Sequence, residues 1–399
     1  MKNYNMDKNL FLRGVEEILP SKDAFFDKIE SEKLTIYLGI DPTSPNIHIG
    51  NAVSLWKLKQ LQDSGQKIIL LFGDFTAMLG DPSDKMETRK LLPHEEILEN
   101  AKTYADQAGK ILKFSGNNPA VVKLNSEWLE DLKFKEIIEI ASHFTVSQMI
   151  ERDLFQKRMS EGKPIGLHEF LYPLLQGYDS VAMEVDGEIG GTDQTFNMLS
   201  GRSLLKDYKN KNKFVIAVKL LLGTDGRKMS KSYGNSVNLS DSASEMYGKI
   251  MSISDEQVAD YLNLATQLDD AAIKEILDFS PLEAKKRLAL EITTLYHSEE
   301  GAHSAQDSFT SVIQNKEMPT NIEAVSFATD PTVVEALVQS GTASSNSEAK
   351  RQVSEGSVDI SSGSGFSKIT DPFQILNAGT VVQQGSRNFF SVEVGDENN

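Results

Sequence analysis

The chain has 399 residues, enough for two or three domains and a sizeable core. Its hydrophobic content of 39% and charged content of 25% are those of an ordinary globular protein, and the absence of cysteine excludes disulfides, thiolate zinc sites and cysteine nucleophiles. A net charge of −17 argues against a nucleic-acid partner over the surface as a whole, and the sequence has only six histidines, none at metal-binding spacing.

No apolar run is long enough to span a bilayer, and the polar Met1–Arg13 does not read as a signal peptide, so the sequence predicts a cytoplasmic protein with no membrane partner and no structural metal. Charge acts locally, because a polyanion senses fields only within roughly 8–10 Å in physiological salt. Between Arg202 and Lys231 the cations Arg202, Lys206, Lys209, Lys211, Lys213, Lys219, Arg227, Lys228 and Lys231 face only Asp207 and Asp225. Such a stripe suits a polyphosphate or RNA, and equally a solvated loop.

In chain order, Leu34–Ile40 reads as a strand, broken by the turn Asp41-Pro42-Thr43-Ser44-Pro45. Ile49, Ala52, Val53, Trp56, Leu58 and Leu61 then recur at helical spacing, and Asp63-Ser64-Gly65 closes that helix. The apolar run Lys67–Phe72 is a second, buried strand. Strand, loop, helix and strand make one half of a mononucleotide-binding α/β unit with a parallel sheet. The alternation continues to another buried strand, Phe214–Val218. From Ser240 to about Val312 the pattern is helical, with Ser280-Pro281-Leu282-Glu283 a strong helix start. Gln314–Pro331 reads as an irregular linker. Beyond it, Val333–Val338 is a short helix, Ser345-Asn346-Ser347-Glu348 a capping box for another, and Val358–Ile360 and Phe389–Val394 are strands.

Five segments carry polar chemistry. His48-Ile49-Gly50-Asn51 opens a helix, where unpaired N–H groups and the helix dipole suit phosphate. Gly50 lets a flat base lie on the backbone, and His48 and Asn51 can donate to phosphate oxygens. Gly80–Arg89 follows the second strand on the side where open α/β sheets bind ligands, and offers Asp81, Lys85 and Arg89; an exposed turn would look alike. In His168–Asp179 a helix would align Tyr172, Gln176 and Asp179 as a polar stripe, satisfied by a small polar ligand or by a network within the core. Glu188–Gln194 pairs Gly190 and Gly191 with Asp193 and Gln194, for ribose or amide contacts or for a simple turn. Finally, Lys228-Met229-Ser230-Lys231-Ser232, bracketed by Gly223, Gly226 and Gly234, is a loop that can close two lysines on a triphosphate. With His48, it points to chemistry at the α-phosphate of ATP.

These five segments, in this order and spacing, resemble the class I aminoacyl-tRNA synthetases, specifically the bacterial tyrosyl-tRNA synthetase family, over about residues 5–394. The resemblance implies an α/β fold with a Rossmann-like parallel-sheet catalytic domain at 1–225, carrying an inserted segment at about 125–165. A loop and an α-helical anticodon-binding domain would follow at 226–315, a linker at 316–332, and a small α+β RNA-binding domain at 333–399 like that of a ribosomal protein. It implies activation of tyrosine by ATP with Mg²⁺, then transfer to tRNA(Tyr), in a homodimer whose contacts would suit the 125–165 segment. Tyr37 and Asp179 would bind the phenol of tyrosine, and Asp81, Tyr172 and Gln176 its amino group. Gln194 would lie near its carboxylate and Asp193 would bind the ribose. Thr43, His48, Asn51, Lys85, Arg89, Lys228 and Lys231 would surround the phosphates, with Gly39 and Asp41 bordering the pocket. Gly50, Gly191, Met229 and Ser230 complete the expected ATP site. Lys350 and Arg351, together on one helix, are the expected RNA contacts. Asn51 replaces the second histidine of the family signature, and Glu188 stands where the better-known subfamily has glutamine. The alternatives are a tryptophanyl-type synthetase, a tRNA-independent nucleotidyltransferase, or a non-catalytic RNA-binding protein on the same scaffold.

Overall fold

Apolar runs such as Ile68-Ile69-Leu70-Leu71-Phe72 have no solvent side, so they form strands only where helices cover both faces of a sheet. In the computed structural model, which describes residues 6–82, 93–230, 233–311, 322–361, 366–385 and 388–395, that sheet has six strands. They are β1 (Val15–Leu19), β2 (Thr35–Ile40), β3 (Lys67–Phe72), β4 (Val121–Leu124), β5 (Gly187–Gly191) and β6 (Phe214–Val218). Their spatial order is β1-β6-β5-β2-β3-β4, parallel throughout except for β1, which runs antiparallel along β6. From β2 the chain passes to β3 on one side, and β5 lies on the other. The order therefore reverses at β2/β5, and a ligand crevice is expected at the carboxyl ends of these two strands. Short helices between Ser126 and Ser160 fill the crossover from β4 towards β5.

The helix Ile49–Asp63 buries Ile49, Ala52, Val53, Leu55, Leu58 and Leu61, more than one stripe, because it lies between the sheet and the helix Val258–Ala265. Trp56 Nε1 donates to the Tyr296 hydroxyl at 3.0 Å, tying it to the helix Pro281–Tyr296. That helix starts as expected, with Ser280 capping Glu283 N, and packs on Ala243–Met251, Val258–Ala265 and Asp270–Leu277.

Lys57 is buried within the Ile49–Asp63 helix, where its ammonium donates to the Leu10 carbonyl at 2.8 Å. Burial, helped by Arg13, pulls it from its ordinary 10.5 down to about 7. Between those pH values the unfolded chain holds a proton that the folded chain has released, so this group makes stability rise with pH across that window. Lys57→Met is expected to flatten the rise. Denaturant unfolding at pH 7, 8 and 9 measures it, and equal slopes for the two proteins would contradict it.

By internal contacts the chain divides into two units, Met1–Ala302 and His303–Asn399. The second has a five-stranded sheet of β7 (Glu323–Phe327), β8 (Val358–Ser361), β9 (Ser367–Lys368), β10 (Val381–Gln384) and β11 (Asn388–Val394), ordered β7-β11-β10-β8-β9. Its core gathers Phe327, Val333, Leu337, Val353, Val358, Val382 and Phe390 under the helices Val333–Gln339 and Asn346–Ser354.

Two sequence expectations are corrected here. The described part of the expected linker contains a strand, β7, paired in parallel with Phe390–Val394 of β11. Only Phe327 of that strand is fully buried, so it is held mainly by a long-range main-chain ladder that leaves little hydrophobic pattern. In the capping box, Ser345 accepts from Glu348 N as expected, but the Glu348 carboxylate takes its bonds from Ser344 N (2.8 Å) and the Ser344 hydroxyl.

Candidate active site

At the end of β2 the chain turns through Asp41–Asn46, and His48 caps the helix Ile49–Asp63. The cap is reciprocal: Asn51 N donates to His48 Nδ1 (3.2 Å) and His48 N donates to Asn51 Oδ1 (3.3 Å). An Nδ1 that accepts leaves the ring proton on Nε2, so His48 is fixed as an Nε2–H donor. Asn51, with its oxygen used in the cap, offers a ligand its amide N–H groups. A Cβ at Gly50 would come within 3.0 Å of His48 Nδ1, so glycine leaves the imidazole its place.

The Lys228 loop reaches this helix start through the main chain. Ile49 N donates to the Val237 carbonyl and Leu239 N to the Ile47 carbonyl, each at 2.9 Å, closing an antiparallel bridge between His48 and Asn238. The loop itself is organised by Asn235, which is buried. Asn235 Oδ1 accepts from Ser230 N (2.8 Å), and its Nδ2 donates to Asp225 Oδ1 (2.7 Å) and the Lys228 carbonyl (3.1 Å). The Asn235 bond, with two more from Arg227, draws the Asp225 carboxylate down to about 2.

A cleft of about 920 Å³ opens at the β2/β5 switch point. It is lined by Tyr37, Gly39, Asp41, Thr43, His48, Gly50 and Asn51 from the β2 side, and by Asp81, Tyr172, Gln176 and Asp179. Gly191, Asp193, Gln194, Lys228, Met229 and Ser230 line it from the β5 side and the lysine loop. Lys85, Arg89 and Lys231 lie outside the described residues. Lys350 and Arg351 sit exposed on the helix Asn346–Ser354 of the second unit, Lys350 4.9 Å above the Phe373 ring and Arg351 3.9 Å from Glu355.

The expected polar stripe is a helical face on Tyr172–Met183. The Tyr172 hydroxyl donates to Asp41 Oδ2 (2.9 Å), Gln176 Nε2 to Glu188 Oε1 (3.3 Å), and Asp179 accepts from Trp128 Nε1 (2.8 Å) and Asn125 Nδ2 (3.4 Å). Asp41 also takes the Thr76 hydroxyl (2.8 Å), and Gln194 Nε2 donates to Asp81 (2.6 Å). Gln176 Oε1 is buried and has no hydrogen-bond partner among the described residues. Burial holds the Asp179 carboxyl well above its usual range despite the bonds from Trp128 and Asn125, with Glu188 and Asp41 adding repulsion. The Lys228 ammonium rests on Asp193, 2.7 Å away. Among the described residues no group of His, Asp and Glu gathers to hold a metal.

The basic stripe is corrected: most of its cations are paired with carboxylates from elsewhere in the chain. Lys209 meets Glu184 (2.6 Å), Lys211 meets Asp186 (2.8 Å), Lys219 meets Glu16 (3.6 Å), and Lys213 is buried against Glu188. Sequence reading missed Asn125, Trp128, Ser180, Lys213 and Asn235, whose partners lie far along the chain or depend on loop geometry. For Glu188, left without a role, the departure from glutamine was the available signal: a carboxylate there calls for a buried cation.

The fold and the cleft together define a class. Residues 29–314 match the family of class I tRNA synthetases (W and Y), and the chain belongs to it. It is an aminoacyl-tRNA synthetase. It is 43% identical to the tyrosine–tRNA ligase of Thermotoga maritima over 96% of both chains. To that of Carboxydothermus hydrogenoformans it is 44% identical, over 95% of this chain and 96% of the relative. Within the class I family the chain thus falls among the bacterial tyrosine–tRNA ligases. The fold is shared with a C-terminally truncated mitochondrial tyrosyl-tRNA synthetase of Aspergillus nidulans, with a TM-score of 0.64 and 21% identity over 78% of this chain and 95% of that one. It is shared also with the Archaeoglobus fulgidus enzyme complexed with L-tyrosine, with a TM-score of 0.58 and 23% identity over 75% and 98%.

Proposed function

We propose that this chain activates tyrosine with ATP, releasing pyrophosphate, and passes the tyrosyl group to the terminal 2′ or 3′ hydroxyl of tRNA(Tyr). The observation that carries the site assignment is Gln176 Oε1, a buried acceptor with no partner among the described residues, in the same cleft as the Tyr37/Asp179 pair and the His48 helix start. An α-ammonium would donate to that oxygen, alongside Tyr172 and Asp81, while the phenol meets Tyr37 and Asp179. Gln194 lies near the substrate carboxylate and Asp193 takes the ribose. The glycines Gly39, Gly50 and Gly191 allow close approach, and Asp41 and Met229 bound the adenosine.

The carboxylate of tyrosine is already ionised, so the first step needs no strong base. It needs in-line positioning and stabilisation of charge building on phosphate. His48 Nε2–H, the Asn51 amide, Thr43, Ser230 and Lys228 supply donors, and Lys85, Arg89 and Lys231, which lie outside the described residues, are expected to add to them. Mg²⁺, carried in with ATP, would neutralise charge on the departing pyrophosphate. For Lys228 to reach phosphate it must leave Asp193, which the same nucleotide would then occupy with its ribose. ATP–pyrophosphate exchange tests the reading: exchange is expected with tyrosine and not with tryptophan or without amino acid. Exchange with tryptophan, or with none, would refute it.

The helices from Ala243 onward and the second unit are assigned to tRNA, with Lys350 and Arg351 as contacts. Because β7 belongs to the second sheet, the informative truncation begins at 322. It is expected to lower aminoacylation while sparing exchange; equal loss of both would contradict the assignment. Phe134, Ile138 and Val146 expose apolar surface on the 125–165 segment and support a homodimer. No helix of the described residues is long and apolar enough to cross a membrane, and we assign the enzyme to the cytoplasm beside its tRNA.

A further inference from the structure

Gln176 lines the cleft with its two amide ends in different states. Its Nε2 donates to Glu188 Oε1 at 3.3 Å, while its Oε1 is buried with no partner among the described residues. Glu188 borders the same cleft, is almost completely buried, and meets the Lys213 ammonium with its other oxygen. Lys213 is fully buried too, and donates onward to Ser180 Oγ at 2.8 Å. The Tyr37 hydroxyl adds a further hydrogen bond to the Glu188 carboxylate. A Cβ at Gly201 would lie 2.6 Å from Ser180 Oγ and 2.7 Å from Lys213 Nζ, so the glycine leaves room for this array.

A primary amide has a donor end and an acceptor end of nearly the same shape, so a glutamine left to itself can turn either one to a ligand. A carboxylate has no proton and only accepts. Beside Glu188 the Gln176 amide must therefore give its N–H₂ to the carboxylate, and its oxygen faces away. The reverse setting would oppose two buried acceptors with no proton between them, at the full cost of an unmade bond. Gln176, Lys213 and Tyr37 all donate to Glu188, a number that the roughly four lone-pair sites of a carboxylate accommodate.

We propose that Glu188, with Lys213 as its counter-ion, is a positioning residue that turns the Gln176 amide so that its oxygen is held out to the α-ammonium of the substrate. The charges of the pair sum to zero, so what the ammonium gains is an oriented dipole. The device makes the pocket selective for a free amino acid over the same acid without its amine. The proposal rests on the reading that Gln176 contacts the α-amino group.

The test compares, in exchange assays of the full chain, the KM of tyrosine with the inhibition constant of 3-(4-hydroxyphenyl)propionate, the same molecule without its amine. Effects on the phenol or on packing move both constants alike and cancel in their ratio. Lys213→Met/Glu188→Gln removes both charges together, and its new amide can accept from Gln176 or donate to it, so the orientation is no longer imposed. It is expected to raise the tyrosine KM roughly three- to tenfold, the scale of one weakened hydrogen bond, with kcat and the inhibition constant little changed. Glu188→Gln alone covers the case in which the double variant does not fold. There Lys213 draws the new amide oxygen, the new N–H₂ turns on Gln176, and the ratio should shift further in the same direction. Gln176→Met should shift the ratio about tenfold or more, and adding the pair variant to it should change nothing further. An unshifted ratio in both Glu188 variants, with a shifted one in Gln176→Met, would overturn the positioning role and leave the site reading standing. An equal shift when the pair variant is added to Gln176→Met would also overturn it, because Glu188 would then act without Gln176. An unshifted ratio in Gln176→Met would overturn the site reading, and the positioning role with it.

Discussion

Asp179→Ala is expected to lower kcat/KM for tyrosine about 10²-fold while leaving phenylalanine little changed, so that discrimination falls by a similar factor. The size follows from leaving the buried phenol proton without an acceptor, roughly 1–3 kcal/mol. The substitution also strands the Trp128 indole N–H and the Asn125 amide, both of which now donate to Asp179. Each loss costs on the order of 1–3 kcal/mol of fold stability. Asp179→Asn separates the two effects, because its amide oxygen can still accept from Trp128 while its N–H₂ meets the phenol donor badly. Exchange kinetics with both amino acids measure the outcome. A preserved preference for tyrosine in the alanine variant, once shown to be folded, would remove Asp179 from the pocket's chemistry.

Lys228→Ala should slow adenylate formation on the order of 10²-fold, the usual loss when one donor to a developing charge is removed, with tyrosine KM nearly constant. A loop that closes on the transition state contributes to rate more than to ground-state affinity. The stability effect should be small, because the Lys228–Asp193 pair is partly exposed, with 41% and 23% of the two side chains accessible. Such pairs contribute no more than about 1 kcal/mol. Single-turnover formation of tyrosyl-adenylate decides it, and a near-normal rate would refute the role. Lys231, which lies outside the described residues, is expected to behave in the same direction.

Much of the catalytic unit was legible in the sequence because its signals are local. Lys67–Phe72 and Phe214–Val218 are apolar on both faces and form the strands expected of them. Ser280 and Ser345 sit one residue before helices because their hydroxyls cap them. The polar stripe of Tyr172, Gln176 and Asp179 follows from helical spacing alone. What could not be read is the set of partners. Nothing near Lys213 marks it as buried, and it stood among lysines that looked solvated until the fold brought Glu188 beside it. Trp128 and Asn125 serve Asp179 from a crossover more than fifty residues away in sequence. β7 leaves little pattern because its neighbour in the sheet is β11, the last strand among the described residues. In each case the stabilising contact joins residues whose meeting depends on topology, and periodicity carries no information about it.

The bridge between Ile47–Ile49 and Val237–Leu239 has a bearing on how the protein is made. Both halves of the proposed nucleotide cradle are joined by the same pair of main-chain bonds, so neither is finished when the parallel sheet is complete at Val218. Closing so long a loop is slow and comes late. During synthesis the nascent sheet would leave the ribosome with an unfinished nucleotide site, one that acquires its affinity only after Leu239 has emerged. Half-made copies would then not trap ATP.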